Sequence, residues 1–256
     1  MRKIFLICGF VFLLVGSGFV RAQQQEEYKA LMLVLNEKSI DARVKLGEEF
    51  LQKSPSSAYV PNVRDRLVRD YNEKSNSAKV IEHGEPLDSK DGVILTFLAD
   101  AYGDRKNDGK CIDTAQKAIQ ALNGAQRPEN IAERDWTTQK NSLVAHNQYL
   151  IGTVYFSQAR RKSGAEKTDL LAKSRQILMA AVKISPRDDR AYYQLGLTLA
   201  DMGEGTDACD ALAKAVVIGG SMKPLAESEL ERIYVHYNRS KVGLDKVLAK
   251  ARASLK

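Results

Sequence analysis

The chain has 256 residues, of which 44% are hydrophobic and 28% are charged, with 39 lysines and arginines against 32 aspartates and glutamates. This is the composition of an ordinary globular protein of sufficient length to be stable without disulfides or a metal, so it excludes a disordered chain, a collagen and a disulfide scaffold. The net charge is +7, and without Arg2, Lys3 and Arg21 in the first 22 residues it would be 7 − 3 = +4, a mild excess. The chain lacks the dense Lys/Arg clusters typical of nucleic-acid-binding proteins. We therefore expect no nucleic-acid partner.

The N-terminus has the pattern of a secretory signal peptide. Met1-Arg2-Lys3 carries positive charge, an apolar run follows from Ile4 to Gly16, and Val20-Arg21-Ala22 ends the segment with small residues. The apolar core is shorter than the ~20 residues that a membrane-spanning helix needs. We predict a signal peptide over residues 1–22, with cleavage near Ala22. An uncleaved N-terminal anchor is the alternative.

Proline positions and apolar spacing predict a chain made of helices. Each of the six prolines lies at an edge of a segment in which apolar residues recur every three or four positions, as in Leu95, Leu98 and Tyr102. No segment has a convincing alternation of β-branched residues. About twelve helices are predicted, at 26–37, 40–53, 60–74, 76–84, 91–104, 108–122, 129–160, 167–185, 189–202, 206–218, 224–238 and 241–254.

Short polar breaks join neighbouring helices. Lys106-Asn107-Asp108-Gly109 and Gly203-Glu204-Gly205-Thr206 offer residues that adopt positive φ and oxygens that cap a helix. Links this short place consecutive helices antiparallel. Each helical hairpin then leaves an apolar face that only the next hairpin covers, which predicts a chain of stacked helix pairs.

One stretch, from Ala191 to Ala215, has small and large residues at regular intervals and reads AYYQLGLTLADMGEGTDACDALAKA. The order Tyr192, Leu195-Gly196, Leu199, Ala208, Leu212 and Ala215 resembles a tetratricopeptide repeat. This resemblance implies an all-α fold, a right-handed superhelical solenoid of antiparallel helix pairs. It is clearest over 91–122, 146–186 and 189–218, and it predicts one helical repeat domain over 23–256.

Within each copy, small residues lie where the two helices cross and larger apolar residues fill the space around them. Gly196 and Ala208 are the small residues of the clearest copy, and Cys111 replaces a crossing alanine in another. In the copy over 146–186, about ten extra residues around 158–167 separate the two helices. The residues predicted to pack within the repeats are Leu98, Ala99, Tyr102, Cys111, Ala118, Ile151, Gly152, Tyr155, Leu195, Gly196, Ala208, Leu212 and Ala215.

The first helix of each pair lines a concave groove in tetratricopeptide-repeat proteins, so the resemblance implies that a partner binds there. Tyr149, Phe156 and Tyr193 form an aromatic trio that offers rigid contact area at low entropic cost. The groove is acidic in its early part and aromatic later, which indicates an extended peptide or a partner helix as ligand. The predicted groove residues are Thr96, Asp100, His146, Tyr149, Thr153, Phe156, Arg190, Tyr193 and Leu197.

Residues 50–59 resemble a helix-end motif that is common in tetratricopeptide-repeat proteins of the bacterial envelope. Together with the signal peptide, this predicts a periplasmic or secreted bacterial protein that serves as a non-enzymatic scaffold or adaptor and binds a protein or peptide. One alternative is an envelope enzyme, or a protein that binds a glycan or small ligand in the same groove. Another is a module held at the membrane surface by an uncleaved N-terminus. The sequence does not indicate the oligomeric state.

Patterns that resemble cofactor or metal motifs do not match in detail. The glycines at 103 and 109 are separated by five residues where a phosphate-binding P-loop has four, and Cys111 stands where that loop has Ser or Thr. His83, His146 and His236 lie far apart and have no HExxH or Cys-x-x-Cys companion. We therefore predict no cofactor and no metal.

Cysteines and serines give no indication of catalysis. No Ser or Cys stands in a recognisable nucleophile context, so we predict that the chain is not an enzyme. Cys111 and Cys209 lie in second helices of repeats that are separated by a whole intervening repeat. That separation exceeds the Cα spacing of a disulfide, which predicts two free thiols.

Overall fold

The computed structural model describes the backbone of residues 5–255 and the side chains of residues 21–255. Within this part of the chain there are twelve α-helices, one 3₁₀ helix at Glu85–Leu87 and no strand, which confirms the all-α prediction. The α-helices are α1 (Phe5–Asn36), α2 (Ile40–Lys53), α3 (Val60–Glu73), α4 (Ser77–Gly84), α5 (Gly92–Asp104), α6 (Asp108–Gly124), α7 (Glu133–Ala159), α8 (Gly164–Ile184), α9 (Asp189–Asp201), α10 (Gly205–Ile218), α11 (Lys223–Asn238) and α12 (Leu244–Ser254).

The first helix differs most from its predicted bounds. It was expected over 26–37, whereas α1 begins at Phe5 and continues through Ala22 to Asn36. A signal peptide is predicted for residues 1–22. The side chains of residues 1–20 lie outside the described part of the chain. Among the residues that are described, none of the helices combines the length and apolar content needed to cross a bilayer.

The helices fall into two compact units, a first unit of residues 1–89 and a second unit of residues 90–256. In the first unit, α1 packs on α2 and α3, and α3 packs on α4. A buried ion pair joins α2 to α3, because Arg43 Nε and Nη2 donate to the Asp70 carboxylate over 2.7 and 2.6 Å. A Cβ added at Gly47 would lie 2.9 Å from Leu67 Cδ2, so α2 and α3 approach closely at this glycine.

The second unit contains three helix pairs, α5 with α6, α7 with α8 and α9 with α10, followed by α11 and α12. In the turn between α5 and α6, Lys106 has φ 56° and the Asn107 side chain accepts a hydrogen bond from Lys110 N, as the sequence predicts. Gly203 supplies the positive φ of the turn between α9 and α10. The residue before α10 is Glu204, and its side chain does not cap that helix.

Glycines set the distance between the paired helices of the second unit. A Cβ added at Gly196 would lie 2.5 Å from Leu212 Cγ, and one at Gly152 would lie 2.6 Å from Leu178 Cγ. A side chain at either position would displace the leucine that faces it, because Cβ contacts this short essentially never occur. All of the residues predicted to pack within the repeats are buried, apart from the half-buried Tyr155.

The copy over 146–186 differs from its predicted shape. The extra residues around 158–167 were expected to separate the two helices, but only residues 160–163 lie between α7 and α8. The remaining residues lengthen the helices, so that α7 has 27 residues and α8 has 21. Arg161 in the short turn donates to Asp108 over 2.5 Å, which ties the turn to the start of α6.

Both described cysteines are buried and free, as predicted. Burial raises the pKa of the Cys111 thiol to about 12 and that of the Cys209 thiol to about 11. Both side chains therefore stay protonated at neutral pH and act as small apolar groups in the helix crossings.

Candidate functional site

The first helices of the three pairs in the second unit lie side by side, because α7 packs on both α5 and α9. They carry seven partly exposed residues that were predicted to bind a partner. We call the surface that these residues form the first-helix face. It comprises Asp100 on α5, His146, Tyr149 and Thr153 on α7, and Arg190, Tyr193 and Leu197 on α9.

A hydrogen-bonded pair joins α5 to α7 on this face. His146 Nε2 lies 2.8 Å from Asp100 Oδ1 and 2.9 Å from Asp100 Oδ2, although the two residues are 46 positions apart in the sequence. Both side chains are partly exposed. The pair therefore fixes the orientation of the imidazole ring and leaves one edge of the pair open to solvent.

Tyr149 lies between His146 and Arg190. Its ring is stacked on the His146 ring, with centroids 6.0 Å apart and an interplanar angle of 30°. From α9, the Arg190 guanidinium carbon lies 5.4 Å from the centre of the Tyr149 ring, which is the geometry of a cation–π contact. Burial raises the pKa of the Tyr149 phenol, so the hydroxyl stays neutral and can donate a hydrogen bond.

Arg190 is held from the other side by the cap of its own helix. Asp188 Oδ1 accepts hydrogen bonds from the backbone N–H groups of Arg190 and Ala191, and it lies 3.5 Å from Arg190 Nε. A carboxylate at the N-terminus of α9 also stabilises the helix dipole. The guanidinium is thus positioned between Asp188 and Tyr149 before any partner arrives.

Tyr193 and Leu197 continue the face along α9. Tyr193 is half-buried and packs with Tyr149 on the core between α9 and α10. Leu197 covers the buried cluster of Phe156, Ala159 and Leu171. These two side chains give the face an apolar part next to its charged and aromatic part.

Two of the predicted groove residues lie inside the protein instead. Thr96 is only 1% exposed. Its hydroxyl donates to the Gly92 carbonyl over 2.7 Å and accepts from Asn147 Nδ2 over 2.8 Å. Phe156 is 7% exposed and is covered by Leu171 of α8 and Leu197 of α9. Their placement on the groove surface is therefore corrected, because neighbouring helices cover both positions.

α11 brings a charged pair close to the Tyr193 end of the face. α11 packs on α9, and the Glu229 carboxylate adds to burial in raising the pKa of the Tyr193 phenol. Glu229 also pairs with Arg232 Nη2 over 2.6 Å. Sequence reasoning missed these two residues because the repeat pattern of α11 is faint, with only Leu230 and Tyr234 in register.

Several open clefts lie on other parts of the described chain. Four of them have volumes between 270 and 560 Å³ and are lined by residues outside the first-helix face. The residues of the first-helix face are partly exposed and spread over three helices, an arrangement that suits a chain segment. Among the described residues, one group could ligate a metal: Glu48, Glu82 and His83 in the first unit.

Known proteins match the chain in structure but not in sequence. No family model matches it, and no curated protein matches it at a significant level. The crystal structure of MamA matches with a TM-score of 0.50 and 19% identity, over 74% of this chain and 91% of that chain. The assembly chaperone of RpL4, Acl4 (residues 1–338), matches with a TM-score of 0.55 and 13% identity, over 91% and 96% of the two chains.

Yeast Tom70 gives a third match, with a TM-score of 0.53 and 15% identity. The match covers 87% of this chain but only 41% of the Tom70 chain, so this chain spans less than half of that protein. At such low identities the matches show a shared fold. The fold is one of paired helical repeats in all three structures.

Proposed function

We propose that this chain, which has the tetratricopeptide-repeat fold of MamA, Tom70 and Acl4, is an adaptor that binds a segment of a partner protein on its first-helix face. The observation that carries the proposal is the continuous array of side chains across three helices. The array runs from Asp100 on α5 through His146 and Tyr149 on α7 to Arg190 on α9. A segment laid across these helices contacts all of them at once.

The array is suited to binding because its members are already held in place. Asp100 orients His146, and Arg190 is held between Asp188 and Tyr149. Side chains that are fixed before association lose little conformational entropy on binding. The face therefore offers a rigid aromatic surface for the side chains of a partner.

Charge at the two ends of the array gives the bound segment a direction. The carboxylate of Asp100 lies at one end and the guanidinium of Arg190 lies at the other. Opposite charges at fixed positions select the orientation and the register of a partner more than they raise affinity. We propose an extended peptide or a single helix as the bound segment, and binding rather than catalysis as the role.

One structural neighbour acts on another protein, since Acl4 is an assembly chaperone of RpL4. That activity is of the kind proposed for this chain. We propose the bacterial periplasm or the cell exterior as the setting, on the strength of the N-terminal pattern. N-terminal sequencing of the protein recovered from an envelope fraction tests the setting. A start near Gln23 supports export with cleavage, and a start at Met1 supports a retained anchor.

Site-specific photocrosslinking in the native cells tests the binding face. A photoreactive phenylalanine analogue is introduced at Tyr193 on the face, and at Gln176, an exposed residue of α8, as the control. We expect one discrete adduct from position 193 and none from position 176. Adding Tyr149→Ala to the probe at 193 should abolish the adduct, because it removes the ring between His146 and Arg190.

Circular dichroism of the same variants separates binding from folding. Tyr149→Ala should leave the helical spectrum intact, since the close crossings within the helix pairs at Gly152 and Gly196 are unchanged. Adduct formation from position 176 alone, or adducts from position 193 that persist after Tyr149→Ala, would place the partner on another surface.

A further inference from the structure

The first unit contains a polar cluster that the proposed protein binding does not use. It lies where α2, α3 and α4 meet and consists of Glu48, Tyr71, Lys79, Glu82 and His83. Tyr71 Oη donates to Glu48 Oε1 over 2.6 Å, and His83 Nε2 lies 3.0 Å from the same oxygen. One carboxylate oxygen of Glu48 therefore joins three helices.

Three of these side chains present atoms that ligate metals. One carboxylate oxygen of each glutamate and a ring nitrogen of His83 lie within 4.8 Å of one another. His83 Nε2 is 3.0 Å from Glu48 Oε1 and 3.9 Å from Glu82 Oε1. Ligand atoms about 2.0–2.2 Å from a tetrahedral zinc ion are about 3.3–3.6 Å apart. Small side-chain shifts would therefore bring the three atoms to the spacing of a metal site.

Lys79 shows that this position already holds a cation. Its ammonium lies 3.3 Å from Glu48 Oε1 and 2.8 Å from Glu82 Oε1, between the two carboxylates. The lysine side chain is 34% exposed, so it can turn out into solvent. With the ammonium in place the group still carries one net negative charge, and a divalent ion in its position would neutralise both carboxylates.

His83 is oriented before any ion binds. It is 2% exposed, and its ring lies parallel to the Tyr71 ring with centroids 5.5 Å apart. Burial lowers the pKa of His83 more than Glu48 and Glu82 raise it, so the ring is neutral at pH 7. Nε2 ligates an ion in the neutral tautomer that carries its proton on Nδ1, so coordination replaces the hydrogen bond between Nε2 and Glu48. Burial opposes ionisation of Glu48, but hydrogen bonds from Tyr71, His83 and Lys79 outweigh it and lower the pKa of that carboxyl.

We infer that Glu48, Glu82 and His83 form a binding site for one divalent cation of the zinc class, which takes the place of the Lys79 ammonium. One imidazole nitrogen with two carboxylate oxygens suits Zn²⁺, whereas Ca²⁺ and Mg²⁺ prefer oxygen ligands alone. The bound ion joins α2 directly to α4. Because it binds the folded state, it raises the stability of the chain.

The sequence does not reveal this site, because its members become neighbours only when the helices pack. Glu48 and His83 are 35 positions apart, and no metal-binding spacing links them. The neighbouring pair Glu82-His83 is too common a dipeptide to indicate a metal by itself.

Isothermal titration calorimetry of the chelator-treated full chain with ZnCl₂ tests the site. We expect one ion per chain for the wild type. Glu82→Gln should weaken binding at least about tenfold, because it removes a charged ligand. Lys79→Met should tighten binding about two- to fivefold, because the ion no longer displaces an ion-paired ammonium. Both side chains are partly exposed, so the variants should fold.

The matched control is Glu49→Gln, which removes a carboxylate that pairs with Lys53 over 3.4 Å on the surface of α2. Its zinc affinity should equal that of the wild type, and MgCl₂ or CaCl₂ should give no binding heat. ZnCl₂ should also raise the melting temperature of the wild type more than that of Glu82→Gln. Absence of zinc binding, or binding that is equally strong in the wild type and Glu82→Gln, overturns the inference.

Discussion

The two sides of α9 have different environments and should tolerate substitutions differently. On one side, Gly196 lies against Leu212 of α10, and Leu195 is buried beside it. On the other side, Arg190 and Tyr193 are half-exposed and contact Tyr149 or pack beside it. Substitutions on the packed side should therefore change the free energy of unfolding, and substitutions on the first-helix face should change binding.

The largest effect is expected at the helix crossing. Gly196→Leu should lower the free energy of unfolding by about 3 kcal/mol, because the new side chain overlaps Leu212 and forces α9 and α10 apart. Gly109→Leu is the matched control, since a Cβ at that position meets nothing within 4 Å. Denaturant unfolding of both variants measures the difference. Equal stabilities would contradict the close crossing of α9 and α10.

A smaller loss is expected at Thr96, which the structure moves from the predicted groove to the interior. Thr96→Val keeps the shape of the side chain but removes the acceptor of the hydrogen bond from Asn147 Nδ2. Stability should fall by about 1 kcal/mol, and partner binding should be unchanged. The same unfolding assay and the crosslink from position 193 check the two halves of this prediction. If the crosslink is lost while stability is unchanged, Thr96 contacts the partner and belongs to the binding face.

The contrast between a buried and an exposed environment also applies to His83 in the first unit. Its ring is buried, and its neighbours are Tyr71, Lys79, Glu48 and Glu82. Because its pKa is lowered in the folded state, protons bind the unfolded chain first as the pH falls through about 6.5. The stability contributed by neutral His83 is complete above that pH and declines below it. Thermal unfolding between pH 8 and 5 in a chelator-containing buffer should show the decline.

His83→Gln separates this titration from the other ionisable groups. The variant should lose most of the decline between pH 7 and 5.5, since the titrating ring is gone. The lowered pKa of Glu48 acts only at more acidic pH, because that carboxyl stays ionised until the pH falls below its ordinary value. An identical pH profile for wild type and variant would exclude His83 as the cause.

The smallest change in stability is expected on the face itself. Arg190→Lys keeps the positive charge but loses the flat guanidinium over Tyr149. The free energy of unfolding should change by less than about 0.5 kcal/mol, as at most surface positions. The crosslink from position 193 should nevertheless weaken. A variant that crosslinks like the wild type would leave Arg190 outside the binding array.

After the first helix, which begins well before its predicted start, most helix bounds followed from local chemistry and could be predicted to within a few residues. Prolines at segment edges, the positive φ of Lys106 and Gly203, and the cap at Asn107 act within a few residues of chain. The three- and four-residue spacing of apolar side chains likewise reports on one helix at a time. The number of helices and their order therefore follow from the residues alone.

Side-chain exposure could not be predicted in the same way. Repeat register placed Thr96 and Phe156 on the groove, but Asn147 of α7 and Leu171 of α8 cover them. Most of the additional residues of the copy over 146–186 lengthen α7 and α8 instead of forming a loop. Whether a position is open depends on the helices that pack around it, which lie far away in the sequence.

The order of the amino acids was enough to establish paired helices with small residues at their crossings, because propensity, capping and apolar spacing act locally. Which polar side chains meet depended instead on how the helices pack. The pair of Asp100 with His146 and the cluster around Glu48 and His83 join residues that are 46 and 35 positions apart. Such contacts depend on the distance and rotation between packed helices. A shift of a few ångströms, or a modest rotation of one helix about its axis, would separate the side chains.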